Sequence, residues 1–214
     1  MTFAAPPSED TTVVSVEFKG ATGEAVRIHL SDGSFFILHA EVFAREGISA
    51  GTPLDAEKVA ALLSQSERVF ARLRALSLLS RAAHSRKGLA RKLASRGFSV
   101  EAIHYALRRV SELGYLDDKA FAESWVRSRI SVGKTGWNAL YKGLLTKGVA
   151  RATAEEVVSA LCSYEDEIES ARQLSEGLAP AAAIRKLAGR GFRSRTISKV
   201  LKEKKNTDRA AAEE

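Results

Sequence analysis

The chain has a single cysteine in 214 residues, so Cys162 can form no internal disulfide, and nowhere do His and Cys residues cluster at metal-ligand spacing. Cys162 ends the helical run Val157-Val158-Ser159-Ala160-Leu161, which predicts a buried, structural thiol. No apolar run approaches the roughly 18 residues of a membrane span, and no positive segment leading into an apolar stretch opens the chain. A cytoplasmic protein without membrane attachment is expected. Phosphate-binding Gly-Lys-Ser/Thr loops, dinucleotide fingerprints, nucleophile elbows and zinc-protease motifs are all missing, and none of His29, His39, His84 and His104 stands at an interpretable spacing from a nucleophile. These absences point away from an enzyme and predict neither cofactor nor metal.

Acidic residues are scarce where basic ones are dense. Residues 1–64 carry 4 basic and 9 acidic side chains, a balance of −5, which leaves +12 of the formal +7 total for residues 65–214. A field of that sign attracts phosphate backbones or an acidic protein surface.

What the chain has in quantity is repetition. Arg91-Lys92-Leu93-Ala94-Ser95-Arg96-Gly97-Phe98 returns as Arg185-Lys186-Leu187-Ala188-Gly189-Arg190-Gly191-Phe192, with one position changed. Leu144-Leu145-Thr146-Lys147-Gly148-Val149 is a weaker third copy between them. Tandem units of this kind bury their apolar stripes by stacking on neighbours, so a mainly α-helical, elongated and curved array of three-helix repeats is expected. Before it, Val13–Phe18, Ala25–Leu30 and Phe35–Leu38 read as strands of a small antiparallel meander, too small to stand alone and expected to lean on the next segment of the chain. A short helix near Ala40–Arg45 stops at Gly47, and the next begins at Thr52-Pro53 or at an Asp55 cap. The expected organisation is a disordered start (1–11), a β-rich domain with a helix (12–64), repeats at 65–115, 116–163 and 164–205, and a disordered tail (206–214). In the first repeat Ser85 caps a second helix running through Ala94, and Ser99 caps a third. In the second, residues inserted before the third helix would place its start at a Thr153–Glu156 capping box. Gly97, Gly148 and Gly191 are expected in equivalent turns with positive φ.

The adjacent pair Asp117-Asp118 invites an acid–base or metal reading. At a helix start the cap reading is stronger: one Asp accepts backbone N–H groups and the other favours the positive end of the dipole, together worth about 1–2 kcal/mol. Leu116 and Phe121 are spaced to staple the same helix start. Cations near helix C-termini complement the dipole, which suffices for Arg96, Lys147 and Arg190. It does not account for Arg81, Arg86, Lys87, Arg91, Lys92, Arg108 and Arg109 in one repeat, which mark an interaction surface. The matching Arg185 and Lys186, and Lys142 in the middle copy, extend it. Tyr115, Phe121, Trp125 and Trp137 lie near Arg127, Arg129 and Lys134, a mixture suited to stacking bases or anchoring a protein. Core packing is expected for Tyr115 and Phe121, exposure for Trp137.

Gly114-Tyr115-Leu116-Asp117-Asp118, followed by Phe121-Ala122, the Val126-x-x-Arg129 spacing and the Lys147-Gly148-Val149 step, resembles the RecX family of bacterial recombinase regulators. The resemblance covers roughly residues 73–205, most specifically 86–149, and the N-terminal strands are similar to an extension found in some members. Where the family commonly has Glu before the Leu, this chain has Gly88 and Gly143, which would weaken the second helices of both repeats by about 1 kcal/mol each. The resemblance implies a monomeric, non-enzymatic regulator lying in the groove of the RecA filament on single-stranded DNA and restraining its recombinase, ATPase and coprotease activities. The other reading is a stand-alone helical module that binds nucleic acid directly.

Overall fold

The computed structural model describes residues 10–20 and 23–210. The chain forms two compact units, residues 1–83 with 89–116, and residues 84–88 with 117–214.

In the first unit, strands β1 (Thr11–Lys19), β2 (Ala25–Leu30), β3 (Phe35–His39) and β4 (Pro53–Leu54) form one antiparallel sheet in the order β3-β2-β1-β4. β2 and β3 alternate between buried and more exposed positions, and Val26, Ile28, Phe36 and Leu38 build the sheet side of the core. The Asp32-Gly33 turn closes the β2–β3 hairpin, with the Ser34 N–H donating to Asp32 Oδ1 at 2.8 Å. Helix α1 (Ala40–Glu46) comes next, capped by the His39 ring, whose Nδ1 accepts the Glu41 N–H at 3.1 Å. Helix α2 (Ala56–Leu79) starts at Asp55, whose carboxylate accepts the Lys58 N–H at 2.6 Å. The Thr52-Pro53 start signal instead lies at the short strand β4, a strand too brief to show in the sequence.

α2 serves two cores. Val59, Leu62 and Val69 cover the sheet, while Ala71, Ala75 and Leu78 join α3 (Arg86–Ala94) and α4 (Val100–Glu112) through Leu89, Leu93, Ala106 and Val110. The boundary expected at 64/65 therefore falls inside a continuous helix. Thr11, placed in the disordered start, is buried and paired with Leu54; residues 1–9 of that start lie outside the described residues.

The second unit holds α5 (Asp118–Val132), α6 (Trp137–Lys147), α7 (Arg151–Leu161), α8 (Tyr164–Ser175), α9 (Pro180–Gly189) and α10 (Ser194–Ala210). α10 runs through residues 206–210 of the expected tail; residues 211–214 lie outside the described residues. The repeats are thus α2-α3-α4, α5-α6-α7 and α8-α9-α10. Each second helix ends in a left-handed glycine, Gly97, Gly148 and Gly191, with φ of 84°, 91° and 77°. The middle repeat has no insertion before its third helix: Ala150 is the N-cap of α7, as far past Gly148 as Ser99 is past Gly97, and Thr153 lies within the helix. Val149, filling the core at that turn, fixes the earlier start. Cys162 is buried as expected, and burial pushes its thiol up to about 11.

Candidate functional site

The second helices and their flanks contain no acidic residue: none occurs in 68–100, 133–154 or 177–202. Counting back from each turn glycine, the sixth residue is Arg91, Lys142 and Arg185, and the first is Arg96, Lys147 and Arg190. All six are exposed. The three copies therefore present the same two cations in the same local frame, which a dipole effect accounts for only at the glycine-adjacent position.

Each candidate residue has a definite local setting. Arg86, Lys87, Arg91 and Lys92 are exposed on α3, and the Arg96 guanidinium donates to the Lys92 carbonyl at 2.8 Å, closing the helix end. Lys142 and Lys147 are exposed on α6, Arg185 and Lys186 on α9. No carboxylate among the described residues reaches ion-pair distance of Lys87, Lys92, Lys142, Lys147, Arg185 or Lys186. Arg108 and Arg109, on α4 and not on the second helix, both face Glu112, at 3.9 and 2.5 Å, so part of their charge is offset at home. Arg127 and Arg129 are exposed on α5, Arg129 lying 5.3 Å above the Trp125 ring; Lys134 is half-buried in the α5–α6 loop.

Two aromatic expectations are reversed. Tyr115 is 62% exposed, because its backbone N–H turns back to the Val110 carbonyl and Leu116 takes the buried place instead. Trp137 is half-buried: its ring stacks on Tyr141 with centroids 5.0 Å apart, and its indole N–H donates to Ser159 Oγ at 3.3 Å. Phe121 packs against the core of α5–α7 as expected. Gly143, expected to weaken α6, has a packing reason: a Cβ there would sit 2.3 Å from Trp125 Cη2. The missing side chain lets the indole lie flat on the helix.

The turn at the end of one second helix seats on the start of the preceding one. The Gly136 N–H donates to the Arg190 carbonyl at 3.0 Å and the Asn138 N–H to the Gly191 carbonyl at 2.9 Å. Backbones meet so closely that a Cβ on Gly136 would lie 2.3 Å from Phe192 N, and one on Gly191 2.5 Å from Ala139 Cβ. At the start of α3, Ser85 Oγ accepts the Gly88 N–H at 3.0 Å and donates to the Lys147 carbonyl, while a Cβ on Gly148 would lie 2.7 Å from Lys87 Cβ. Lys147 and Arg190 are the equivalent residues, and both carbonyls receive the cap residue of the preceding helix.

Carboxylates reinforce these joints. Asp117 caps its own helix, accepting from Lys119 and Ala120, but Asp118 Oδ1 accepts the Arg86 N–H at 2.6 Å, capping α3. Glu167, with a fully buried side chain, accepts the Trp137 N–H at 3.0 Å, the Arg193 N–H at 3.1 Å, the Thr196 hydroxyl at 2.7 Å and Arg193 Nε at 2.6 Å. Burial alone would raise the Glu167 carboxyl, yet the bonds from Thr196, Trp137 and Arg193 hold it below its ordinary value. Arg193 lies 5.6 Å from the Trp137 ring centroid and 5.7 Å from that of Tyr164.

Residues 71–109 match the first three-helix domain of RecX and residues 117–158 the second. A regulatory protein RecX from Caldanaerobacter subterraneus subsp. tengcongensis is 32% identical over 146 residues, covering 68% of this chain and 74% of that protein. The chain belongs to the RecX family. A second RecX relative, from Pelodictyon phaeoclathratiforme, is 33% identical over 135 residues, 60% of this chain and 84% of its own. The fold agrees with a crystal structure of regulatory protein RecX, at a TM-score of 0.66 and 21% identity over 90% of this chain and 99% of that one. It also agrees with RecX from Lactobacillus salivarius, at a TM-score of 0.60 and 24% identity over 64% and 96%. No helix among the described residues is long and apolar enough to cross a membrane.

The two three-helix domains matched lie in the first two repeats, whereas an acid at one position of the first helix recurs in all three. Glu67 accepts the Ser99 N–H at 2.7 Å and its hydroxyl at 2.6 Å, as Glu167 accepts the Arg193 N–H. Glu67, Asp118 and Glu167 each stand four residues before a fully buried alanine, Ala71, Ala122 and Ala171. That spacing is present in the sequence, hidden because the acid's partners lie on other helices.

Proposed function

We propose that this chain is a non-enzymatic modulator of the RecA recombinase, binding the filament on single-stranded DNA along its groove through the second helices and restraining its activities. The observation that carries the reading is the acid-free second helix, repeated three times with exposed cations one and six residues before its turn glycine. A periodic ligand suits a periodic partner: several weak contacts engaged together gain affinity through effective concentration. Membership of a family whose relatives are named regulatory proteins supports the same reading.

The deciding experiment compares binding to RecA filaments with binding to the same single-stranded DNA naked, at matched salt, alongside DNA-dependent ATP hydrolysis by RecA. Preference for the filament and slowed hydrolysis are expected. Equal binding to naked DNA with unchanged hydrolysis would select the stand-alone nucleic-acid module. Reversing Arg91, Lys92 and Arg96 is expected to weaken filament binding more than reversing Arg185, Lys186 and Arg190, because residues 68–148 carry 17 basic and 5 acidic side chains while Glu165, Asp166, Glu167 and Glu169 dilute the last repeat. Affinities at several salt concentrations test this: each lost phosphate contact lowers the salt slope by roughly 0.7 on a single strand, whereas loss of a protein contact leaves it nearly unchanged. An equal or larger loss from the last-repeat variant would place the main surface there.

A further inference from the structure

The glycine turns of repeats 2 and 3 are each seated on a helix start, and that of repeat 1 is not. Arg96-Gly97-Phe98 has the same three residues as Arg190-Gly191-Phe192 and the same left-handed glycine, with φ of 84° against 77°. Yet a Cβ built on Gly97 meets nothing within 4 Å, and no hydrogen bond reaches the Arg96 or Gly97 carbonyl among the described residues. The equivalent carbonyls of Lys147, Arg190 and Gly191 are all used.

The opposite end of the series is shut. α9, the last second helix, opens with Ala179 as N-cap and Pro180 at its first position. Pro180 has no N–H to offer a carboxylate, as Arg86 and Trp137 do, and Ala179 has neither the hydroxyl of Ser85 nor the bare Cα of Gly136. A second copy of this chain therefore lacks the seat that the turn fits.

We propose that the Arg96–Phe98 turn is a docking site for the N-terminal end of a helix on a partner protein, held as α3 and α6 hold the turns of repeats 2 and 3. Two occupied copies within the chain specify the seat, a small or hydroxyl-bearing cap residue whose N–H or O–H donates to the Arg96 carbonyl, and the repeat-3 copy adds a backbone N–H to the glycine carbonyl, here that of Gly97. Charge specifies the rest. Residues 68–100 contain nine basic and no acidic side chains, so the partner helix carries acidic residues in its first turn, where the dipole also favours them. The inference rests on the recombinase filament being the partner.

The test measures wild type, Gly97→Asn and Gly97→Ala against RecA filaments on single-stranded DNA and against the same DNA naked, at matched salt. Both substitutions place a Cβ in the seat without changing charge. Gly33→Asn is the control for strain, since Gly33 also has a left-handed φ of 83° with nothing within 4 Å of a Cβ. Melting curves for all variants separate binding from folding; asparagine tolerates the left-handed φ better, and alanine adds the Cβ without a polar group. Filament affinity is expected to fall about ten-fold for both Gly97 variants, as for a central interface contact, and to stay at wild-type level for Gly33→Asn, with naked-DNA affinity unchanged throughout. Wild-type preference for filaments retained by both Gly97 variants would overturn the docking site alone. A matching loss on naked DNA would overturn it in favour of nucleic acid at the turn. No preference of wild type for filaments would overturn the regulator reading and the docking site together.

Discussion

The joint at the start of α3 and the joint at the start of α6 perform the same task with different chemistry. At α3 a serine hydroxyl spans the gap to the Lys147 carbonyl, and a half-exposed Asp118 supplies the carboxylate. At α6 the spacer is gone: Gly136 lets main chain meet main chain, and the carboxylate is a buried Glu167 with an arginine to balance it. A flexible side-chain link tolerates small shifts, whereas a backbone-to-backbone contact over a buried ion pair tolerates almost none. Repetition in sequence does not carry equal sensitivity with it.

The largest separation between the joints is expected from their carboxylates. Glu167→Ala strands the Arg193 guanidinium and leaves four donors without their acceptor, costing about 3–5 kcal/mol, as for other broken buried pairs. Asp118→Ala removes one helix cap, worth about 1 kcal/mol. Urea unfolding of the two variants, monitored by Trp137 and Trp125 fluorescence, measures the difference; equal losses would mean that burial of the second joint adds nothing.

Next in size is the spacer. Gly136→Ala forces the Phe192 backbone away and is expected to cost about 1–3 kcal/mol, the range for overpacking. Ser85→Ala loses the cap and the link to Lys147, about 1 kcal/mol. Thermal melts of both variants rank them, and a Ser85→Ala protein that melts lower than Gly136→Ala would reverse the comparison.

Acid sharpens the contrast most gently. Because the folded-state pKa of Glu167 lies below its unfolded value, its ionised form stabilises the protein above the ordinary carboxylate range near pH 4.3, and that stability is lost as pH falls through the lowered value. Glu167→Gln, which mimics the protonated carboxyl at every pH, is expected to remove the loss of the Trp137–Tyr141 near-ultraviolet signal in that pH window; a wild-type pH profile in the variant would show that Glu167 is not the source of the acid sensitivity.

Much of this fold is legible in the residues because its signals are local. Ser85, Asp117 and Ser99 cap where their hydroxyl or carboxylate precedes an apolar helical stripe, and the turn glycines stand where positive φ is needed. The failures at Asp118, Gly143, Tyr115 and Trp137 share one cause. Asp118 reads as a local dipole partner because its acceptor role is satisfied thirty-two residues back, at Arg86. Gly143 reads as a defect because the indole that requires it comes from another helix. Tyr115 and Trp137 exchange their expected exposures because ring placement is decided by tertiary neighbours. The cations of the candidate site are visible at once, being defined by charge and spacing, while the joints at the starts of α3 and α6 are not.

The single helix that runs from Ala56 to Leu79 has a consequence for how the protein opens. Its first half is the lid on the sheet and its second half a wall of the first repeat, so neither core can lose its helix without stripping the other. Amide protons of Val26 and Ile28 in the sheet and of Ala106 and Val110 in α4 should then exchange with solvent through one shared opening, with matching free energies and matching response to denaturant. Cutting the chain at residue 64, to isolate the repeats, would not remove a domain but halve a beam.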